Sequence, residues 1–342
     1  MPYSCYTRGI FSGNRRNYAR INRRKESAMP GFVTHYLFGV STIQKEKLSR
    51  SYPLICSHPT AFGLGLQGPD VFFYDLFSYL RYKVSPGSAA HSAKSGCFFY
   101  YLLQSRMLFS DPYDYETACA YILGFIGHYT LDTFCHPYIY DKSHYDKNDP
   151  SYYGRHVYLE TDIDSLLLAQ KKHLRPSEFH ADRTIRLSGR ERHVIASMLC
   201  YVYSHVFPQY RLNHLHTRLV TCMMELGVWV LRDPSGKKKA LLRMAERRIP
   251  GYAFASPLIA SDRLHFTTDP LNLSHHRWSN PWDRSRSSTA SFPELMQEAA
   301  ARYRERIKLC EDVFFQNTPD SMTEAKLLDD LGSRSYSSGL HV

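Results

Sequence analysis

The feature that most constrains the fold is a polar stripe within the apolar segment 124–141, GFIGHYTLDTFCHPYIYD. His128, Asp132 and His136 recur at every fourth position, which places all three on one face of an α-helix. A carboxylate buried on such a helix is costly unless it is hydrogen-bonded, paired with a charge or bound to a metal ion. The segment therefore predicts a long helix, near 115–139, that turns polar side chains towards a buried site.

A second pair with the same spacing follows on another predicted helix, where His156 and Glu160 lie four positions apart. A satisfied polar core would account for either pair alone, whereas the cluster as a whole favours a metal site. Imidazole nitrogen and carboxylate oxygen are natural ligands of zinc. Two facing helices can hold more than one ion, and Asp132 is placed to bridge two of them.

Three further candidates precede the stripe. His35 lies on the apolar segment MPGFVTHYLFG, Asp70 follows Gly68 and Pro69 at a helix start, and His91 opens the next helix in SAAHSAKSG. Each of them alone has an ordinary explanation, and Asp70 in particular is placed to cap a helix N-terminus.

Helical periodicity dominates the rest of the chain, and alternating strand patterns are scarce. The predicted helices lie near 42–51, 70–83, 89–108, 115–139, 156–172, 190–206, 213–232, 235–247 and 291–314. We therefore expect one all-α domain over residues 29–325. Residues 326–342, which end in a Ser- and Gly-rich stretch, are expected to be a disordered tail.

The net charge of +11 is concentrated at the N-terminus. Residues 1–28 contain seven Arg or Lys and one Glu, which is 7 − 1 = +6 and leaves +5 for the rest of the chain. This segment is either a basic disordered leader or lies upstream of a true start at Met29. Because the remainder is only mildly basic, the overall charge argues weakly for a nucleic-acid partner.

The eight cysteines form no CxxC pair and lie mostly among apolar residues, as reduced core thiols do. No stretch is apolar for long enough to predict a transmembrane segment, since polar residues interrupt 118–140. The N-terminus lacks the apolar core of a secretory signal, so we expect a cytoplasmic protein.

The order of the candidate ligands resembles the zinc-dependent phospholipase C family, which is related to the S1/P1 nucleases. The resemblance covers roughly residues 29–170 and lies in the ligand order and in a core of the form HY-x-x-D…HP…H-x-x-x-E. It implies an all-α, multi-helix domain like that of phospholipase C and P1 nuclease, with two or three zinc ions.

The resemblance also implies a role for each residue. The first zinc would be held by Asp70, His91, His128 and Asp132, the second by His136, His156 and Glu160, and the third by His35 with Asp132 as a bridge. Asp70 would also act as the general base for the attacking water. Two features depart from the family pattern: His136 lies two residues before the usual histidine position, and no tryptophan lies near either start to supply the N-terminal ligand of the third zinc.

The implied reaction is hydrolysis of a phosphodiester by zinc-activated water, with glycerophospholipids at a membrane surface as the expected substrates. A single-strand nuclease of the S1/P1 type is the alternative enzyme, with nucleic acid as the less favoured partner. A non-catalytic helical protein stabilised by zinc is the third hypothesis.

Overall fold

Thirteen α-helices and one short hairpin form the regular structure of the described residues, together with five 3₁₀ turns. A computed structural model of the chain describes residues 31–146, 148–149, 151–248, 255–260, 262, 268–315 and 321–342. The helices are α1 (Phe32–Ile43), α2 (Ser51–Ser57), α3 (Pro59–Gly65), α4 (Leu76–Arg81), α5 (Pro86–Ser92), α6 (Ser95–Ser105), α7 (Pro112–Lys142), α8 (Tyr152–Lys172), α9 (Gly189–Val206), α10 (His214–Leu231), α11 (Lys237–Glu246), α12 (Phe292–Phe314) and α13 (Ser321–Leu331). Strands β1 (Trp278–Asn280) and β2 (Asp283–Ser288) pair antiparallel. The 3₁₀ turns are Gly68–Tyr74, Arg106–Leu108, Ala181–Ile185, Pro208–Tyr210 and Ser256–Leu258.

Helix α7 runs through the centre of the molecule. It begins at Pro112, directly after Asp111, whose carboxylate accepts hydrogen bonds from the first backbone N–H groups of the helix. Every residue from Thr117 to Asp132 is buried. Helices α1, α3, α9 and α12 surround it, so α7 is enclosed on all sides rather than amphipathic.

Helices α1 and α8 pack together, and the start of α1 depends on α8. Gly31 precedes α1 and offers no side-chain cap. Asp164 of α8 supplies the cap instead, since its carboxylate accepts hydrogen bonds from the backbone N–H groups of Val33 (3.1 Å) and Thr34 (2.7 Å). Burial raises the pKa of Asp164 to about 6.

The hairpin is attached to the second half of α7, and α12 contacts both halves of α7. Trp278 of β1 packs against Tyr138 of α7, with ring centroids 5.7 Å apart, and its Nε1 donates to the carbonyl of Ala290 at 3.0 Å. Ser291 and Glu294 then form a reciprocal capping box that begins α12.

The all-α prediction is confirmed, and most predicted helices are present with shifted ends. The predicted helix at 42–51 is wrong, because α1 ends at Ile43 and residues 44–50 form turns before α2. The predicted helix at 89–108 is interrupted after Ser92, where Lys94 takes a left-handed conformation with φ of +60°. No helix among the described residues combines the length and apolarity needed to span a bilayer.

The expected disorder of residues 326–342 is wrong. Helix α13 continues to Leu331, and Tyr336 in the following segment is only 1% exposed. Oγ of Ser335 accepts hydrogen bonds from the backbone N–H groups of Ser337 and Ser338, and the hydroxyl of Ser95, on α6, donates to the carbonyl of Arg334. These bonds compensate for the lack of regular structure in the segment. The expected leader, residues 1–28, lies outside the described residues.

Candidate metal centre

The eight side chains predicted as ligands converge in one buried region. None of them is more than 7% exposed. They are His35 on α1, Asp70 on the 3₁₀ turn Gly68–Tyr74, His91 on α5, His128, Asp132 and His136 on α7, and His156 and Glu160 on α8.

Asp132 is the centre of this region. Its Oδ2 lies 3.0 Å from Nε2 of His128 and 3.9 Å from Nε2 of His91. Its Oδ1 lies 3.2 Å from Nε2 of His35 and 3.5 Å from Nε2 of His136. One carboxylate therefore contacts imidazoles from three helices, which is the arrangement that a bridging ligand requires.

Each of the two other carboxylates lies beside a histidine that also faces Asp132. Asp70 Oδ1 is 3.0 Å from Nε2 of His91. Glu160 Oε1 is 3.2 Å from Nε2 of His156 and 3.6 Å from Nε2 of His136. His91 is thus shared by Asp70 and Asp132, and His136 is shared by Asp132 and Glu160.

Two sets of three ligand atoms lie within 4.8 Å of one another, which is close enough for one ion each. They are His35, His128 and Asp132, and Asp70, His91 and His128. His136, His156 and Glu160 are neighbours but do not meet this distance as a trio among the described residues.

Backbone carbonyls fix the orientation of three of the imidazoles by bonding their Nδ1 atoms. Nδ1 of His91 is 2.8 Å from the carbonyl of Gly87, and Nδ1 of His128 is 3.2 Å from the carbonyl of Leu66. Nδ1 of His136 is 3.1 Å from the carbonyl of Tyr336. Because a carbonyl only accepts, each Nδ1 carries the hydrogen and each Nε2 faces the carboxylates, as in histidines that bind metal ions.

Gly68 makes room for this arrangement. Its φ of +51° is a left-handed conformation, and a Cβ at this position would lie 2.3 Å from Cδ2 of His128. The turn that presents Asp70 therefore approaches the His128 ring as closely as only glycine allows. The ring of His35 stacks on the ring of His128, with centroids 4.3 Å apart.

The donor atoms fit bound zinc because most of them have no other partner. Among the described residues, the buried polar atoms without a hydrogen bond include both oxygens of Asp70 and of Glu160, Oδ2 of Asp132, and Nε2 of His91, His128 and His156. Leaving so many buried polar atoms unpaired costs on the order of 1–3 kcal/mol for each atom. Neighbouring ligand atoms of a tetrahedral zinc ion lie about 3.3 Å apart, which matches the N···O distances around these carboxylates.

The pKa values of the cluster follow from the same contacts. Burial would raise the pKa of Asp132, but the imidazoles of His128, His136 and His35 outweigh burial and hold the pKa well below its usual range. Burial would lower the pKa of His136, but the carboxylates of Asp132 and Glu160 raise the pKa to about 9. Without a metal ion, the buried negative charge is therefore balanced in part by a proton on His136.

Sequence reasoning missed Tyr336, which belongs to the surroundings of the cluster. Its ring lies 4.9 Å from that of His91 and 5.8 Å from that of His128, measured between centroids. The only available signal was that Tyr336 is the one Phe, Tyr or Trp residue in the segment 332–342.

The comparisons with known proteins gave one result. Residues 34–196 match the family model described as zinc dependent phospholipase C, and this range contains all eight predicted ligands. No curated protein and no solved structure matches the chain.

Proposed function

We propose that this chain, which matches the zinc-dependent phospholipase C family model over residues 34–196, is a zinc-dependent phosphodiester hydrolase that cleaves glycerophospholipids. The observation that carries this proposal is the buried cluster of three carboxylates and five imidazoles, most of whose facing ligand atoms have no hydrogen bond among the described residues. Such a cluster requires cations for charge balance, and its donor set is the one that zinc prefers.

We propose the ligand groups that the family resemblance implies. Asp70, His91, His128 and Asp132 would hold one zinc, and His136, His156 and Glu160 a second. His35 would bind a third together with Asp132. Zinc in these positions would polarise phosphoryl oxygens and lower the pKa of bound water. The short distances from Asp132 to histidines of the first and third groups support its role as the bridge.

Asp70 is the residue we propose as general base. Both of its carboxylate oxygens lack a hydrogen-bond partner among the described residues, so they are available to accept a proton. Asp70 also lines a cavity of about 110 Å³, which gives a substrate access to this side of the cluster. The same carboxylate can thus bind a metal ion and orient the attacking water.

The lining of this cavity favours an amphiphilic substrate. Away from Asp70 the walls are mainly apolar side chains of Phe32, Val33, Tyr74, Phe179, Met224, Val228, Leu231 and Leu258. Arg232 also lines the cavity, and its Nε has no hydrogen-bond partner among the described residues. An apolar wall beside a free cationic N–H suits a phosphate ester that carries a hydrocarbon part.

The first test is metal analysis of the purified protein, followed by assays with phosphatidylcholine and with single-stranded DNA. We expect two or three zinc ions per chain and hydrolysis of the phospholipid. Less than one zinc per chain overturns the proposal. Cleavage of DNA but not lipid supports the nuclease alternative, and full zinc with neither activity supports a structural role for the metal.

The role of Asp70 needs a separate test. We expect Asp70→Asn to lose most phosphodiesterase activity, because the amide cannot accept the proton of the attacking water. Its zinc content is measured alongside, because Asp70 is also a proposed ligand. A variant that keeps its zinc and hydrolyses the substrate as fast as the wild type excludes Asp70 as the base.

A further inference from the structure

We propose that the C-terminal segment, residues 332–342, positions two of the zinc ligands through the peptide groups of Tyr336. This proposal rests on the proposed function, since it concerns the same metal centre. The segment contributes no ligand of its own. It acts on His91 and His136, which belong to different ligand groups and different helices.

The peptide groups on both sides of Tyr336 join these two helices. The backbone N–H of Tyr336 donates to the carbonyl of His91 on α5 at 3.1 Å. Its carbonyl accepts from Nδ1 of His136 on α7, also at 3.1 Å. The second bond fixes which nitrogen of His136 carries the hydrogen and therefore directs Nε2 towards Asp132 and Glu160.

The segment is itself held by groups outside the cluster. Nδ2 of Asn280, on β1, donates to the carbonyl of Ser338 at 2.8 Å. Oγ of Ser95, on α6, donates to the carbonyl of Arg334 at 2.9 Å. The hydroxyl of Tyr129, on α7, accepts from the backbone N–H of Arg334 at 3.2 Å. The position of Tyr336 is therefore determined by three elements of the fold and not by the zinc ligands alone.

Pro137 and Gly339 bring the segment onto α7 beside His136. Pro137 lies inside α7 and has no N–H to bond the carbonyl of Thr133. Gly339, with φ of +64°, lies against that carbonyl, and a Cβ at Gly339 would be 2.5 Å from the oxygen of Thr133. Any larger residue at 339 must therefore move the segment away from α7, one turn before His136.

This contact suggests a test with two matched glycines. Gly339→Ala introduces both the left-handed strain and the clash with Thr133. Gly332→Ala introduces the same kind of strain, with φ of +60°, but its Cβ would meet no atom closer than 3.7 Å. Any difference between the variants therefore reports the displacement of the segment and not the conformational cost of alanine.

Zinc affinity is measured by competition with a chelator, and the visible absorption spectrum of the cobalt-substituted protein reports ligand geometry. We expect Gly339→Ala to bind zinc about 10- to 100-fold more weakly than the wild type and to change the cobalt spectrum. Gly332→Ala is expected to match the wild type in both measurements. Thermal unfolding of the zinc-free proteins shows how much stability each variant loses.

Asn280→Ala provides a second route if Gly339→Ala does not fold. This change releases the segment at Ser338 without introducing a clash, and the same direction of effect on zinc affinity and spectrum is expected. Wild-type affinity and spectrum in every folded variant, or an equal loss in both glycine variants, overturn this proposal alone. A wild-type protein that binds no zinc overturns the proposed function and this proposal together.

Discussion

Two buried carboxylates of this molecule, Asp75 and Asp132, each lie beside a histidine, yet their surroundings differ. Asp75 accepts hydrogen bonds from the backbone and hydroxyl of Ser78, and lies 2.8 Å from Nε2 of His216. Both of its oxygens are therefore paired. Asp132 lies near four imidazoles, but its Oδ2 has no hydrogen bond among the described residues.

The difference separates a carboxylate that the protein itself satisfies from a candidate metal site. A buried carboxylate that is satisfied by protein donors needs nothing further, as at Asp75. The carboxylates of Asp132, Asp70 and Glu160 face imidazole nitrogens and have oxygens without hydrogen bonds among the described residues. Only cations can stabilise these three carboxylates together. Asp75 is therefore the matched control for the cluster.

The largest expected effect comes from replacing Asp132, the proposed bridging carboxylate. Asp132→Asn removes the negative charge shared by the proposed sites, so we expect zinc content to fall and phosphodiesterase activity to decrease by roughly a thousandfold or more. Asp75→Asn should keep the zinc and the activity of the wild type. Metal analysis and initial rates on phosphatidylcholine measure both, and equal losses in the two variants would contradict the distinction.

Removal of zinc should destabilise the fold by a free energy comparable to that of a roughly thousandfold change in rate. At a free zinc concentration about a thousandfold above the dissociation constant, bound zinc adds about 4 kcal/mol to the free energy of unfolding. Urea unfolding with zinc and with a chelator measures this difference. We expect Asp75→Asn to show the full zinc dependence and Asp132→Asn to have lost most of it. If the free energy of unfolding of the wild type does not depend on zinc, Asp132 is a structural carboxylate like Asp75.

A smaller effect concerns the pH dependence of zinc binding. Because the pKa of His136 is raised to about 9, the zinc-free protein carries a proton on His136 at neutral pH that zinc must displace. Affinity should therefore increase with pH up to about 9, roughly tenfold per unit for one displaced proton. Chelator competition at several pH values measures the slope. An affinity that does not change below pH 9 would show that His136 is already neutral.

The smallest effect is expected at the control pair. Burial would raise the pKa of Asp75, but hydrogen bonds from His216 and Ser78 lower it below the ordinary value of 3.8. The pair therefore stabilises the fold above that pH, and this contribution is lost as the pH falls through the lowered pKa. Asp75→Asn should cost roughly 1 kcal/mol at neutral pH. The difference in the free energy of unfolding between Asp75→Asn and the wild type, measured by urea unfolding in chelator, should disappear as the pH falls below about 4. A difference that stays constant with pH would contradict the pairing of Asp75 with His216 and Ser78.

Sequence patterns predicted α7 well because its information is local. Its apolar run and the spacing of His128, Asp132 and His136 both lie within the helix itself. The same spacing rule identified His156 and Glu160 on α8. The grouping of all eight candidate ligands needed the family resemblance in addition, since His35 and His91 have no local partner.

The features that the sequence did not predict depend on distant or backbone atoms. Helix α1 follows a glycine, and the carboxylate that caps it lies 131 positions after Val33. The partner of His216 lies 141 positions away. The groups that orient His91, His128 and His136 are backbone carbonyls, which every residue possesses. The C-terminal segment is ordered by contacts with other elements, so its Ser- and Gly-rich composition was a poor guide.

The dependence of α1 on Asp164 has a consequence for the order of folding. A helix whose first N–H groups are capped by another helix has no stable start of its own, so α1 is expected to form only after α8 has docked. His35 travels with α1, whereas His128, Asp132 and His136 are aligned as soon as α7 forms. In a refolding chain, His35 would therefore be the last of these four residues to reach its position.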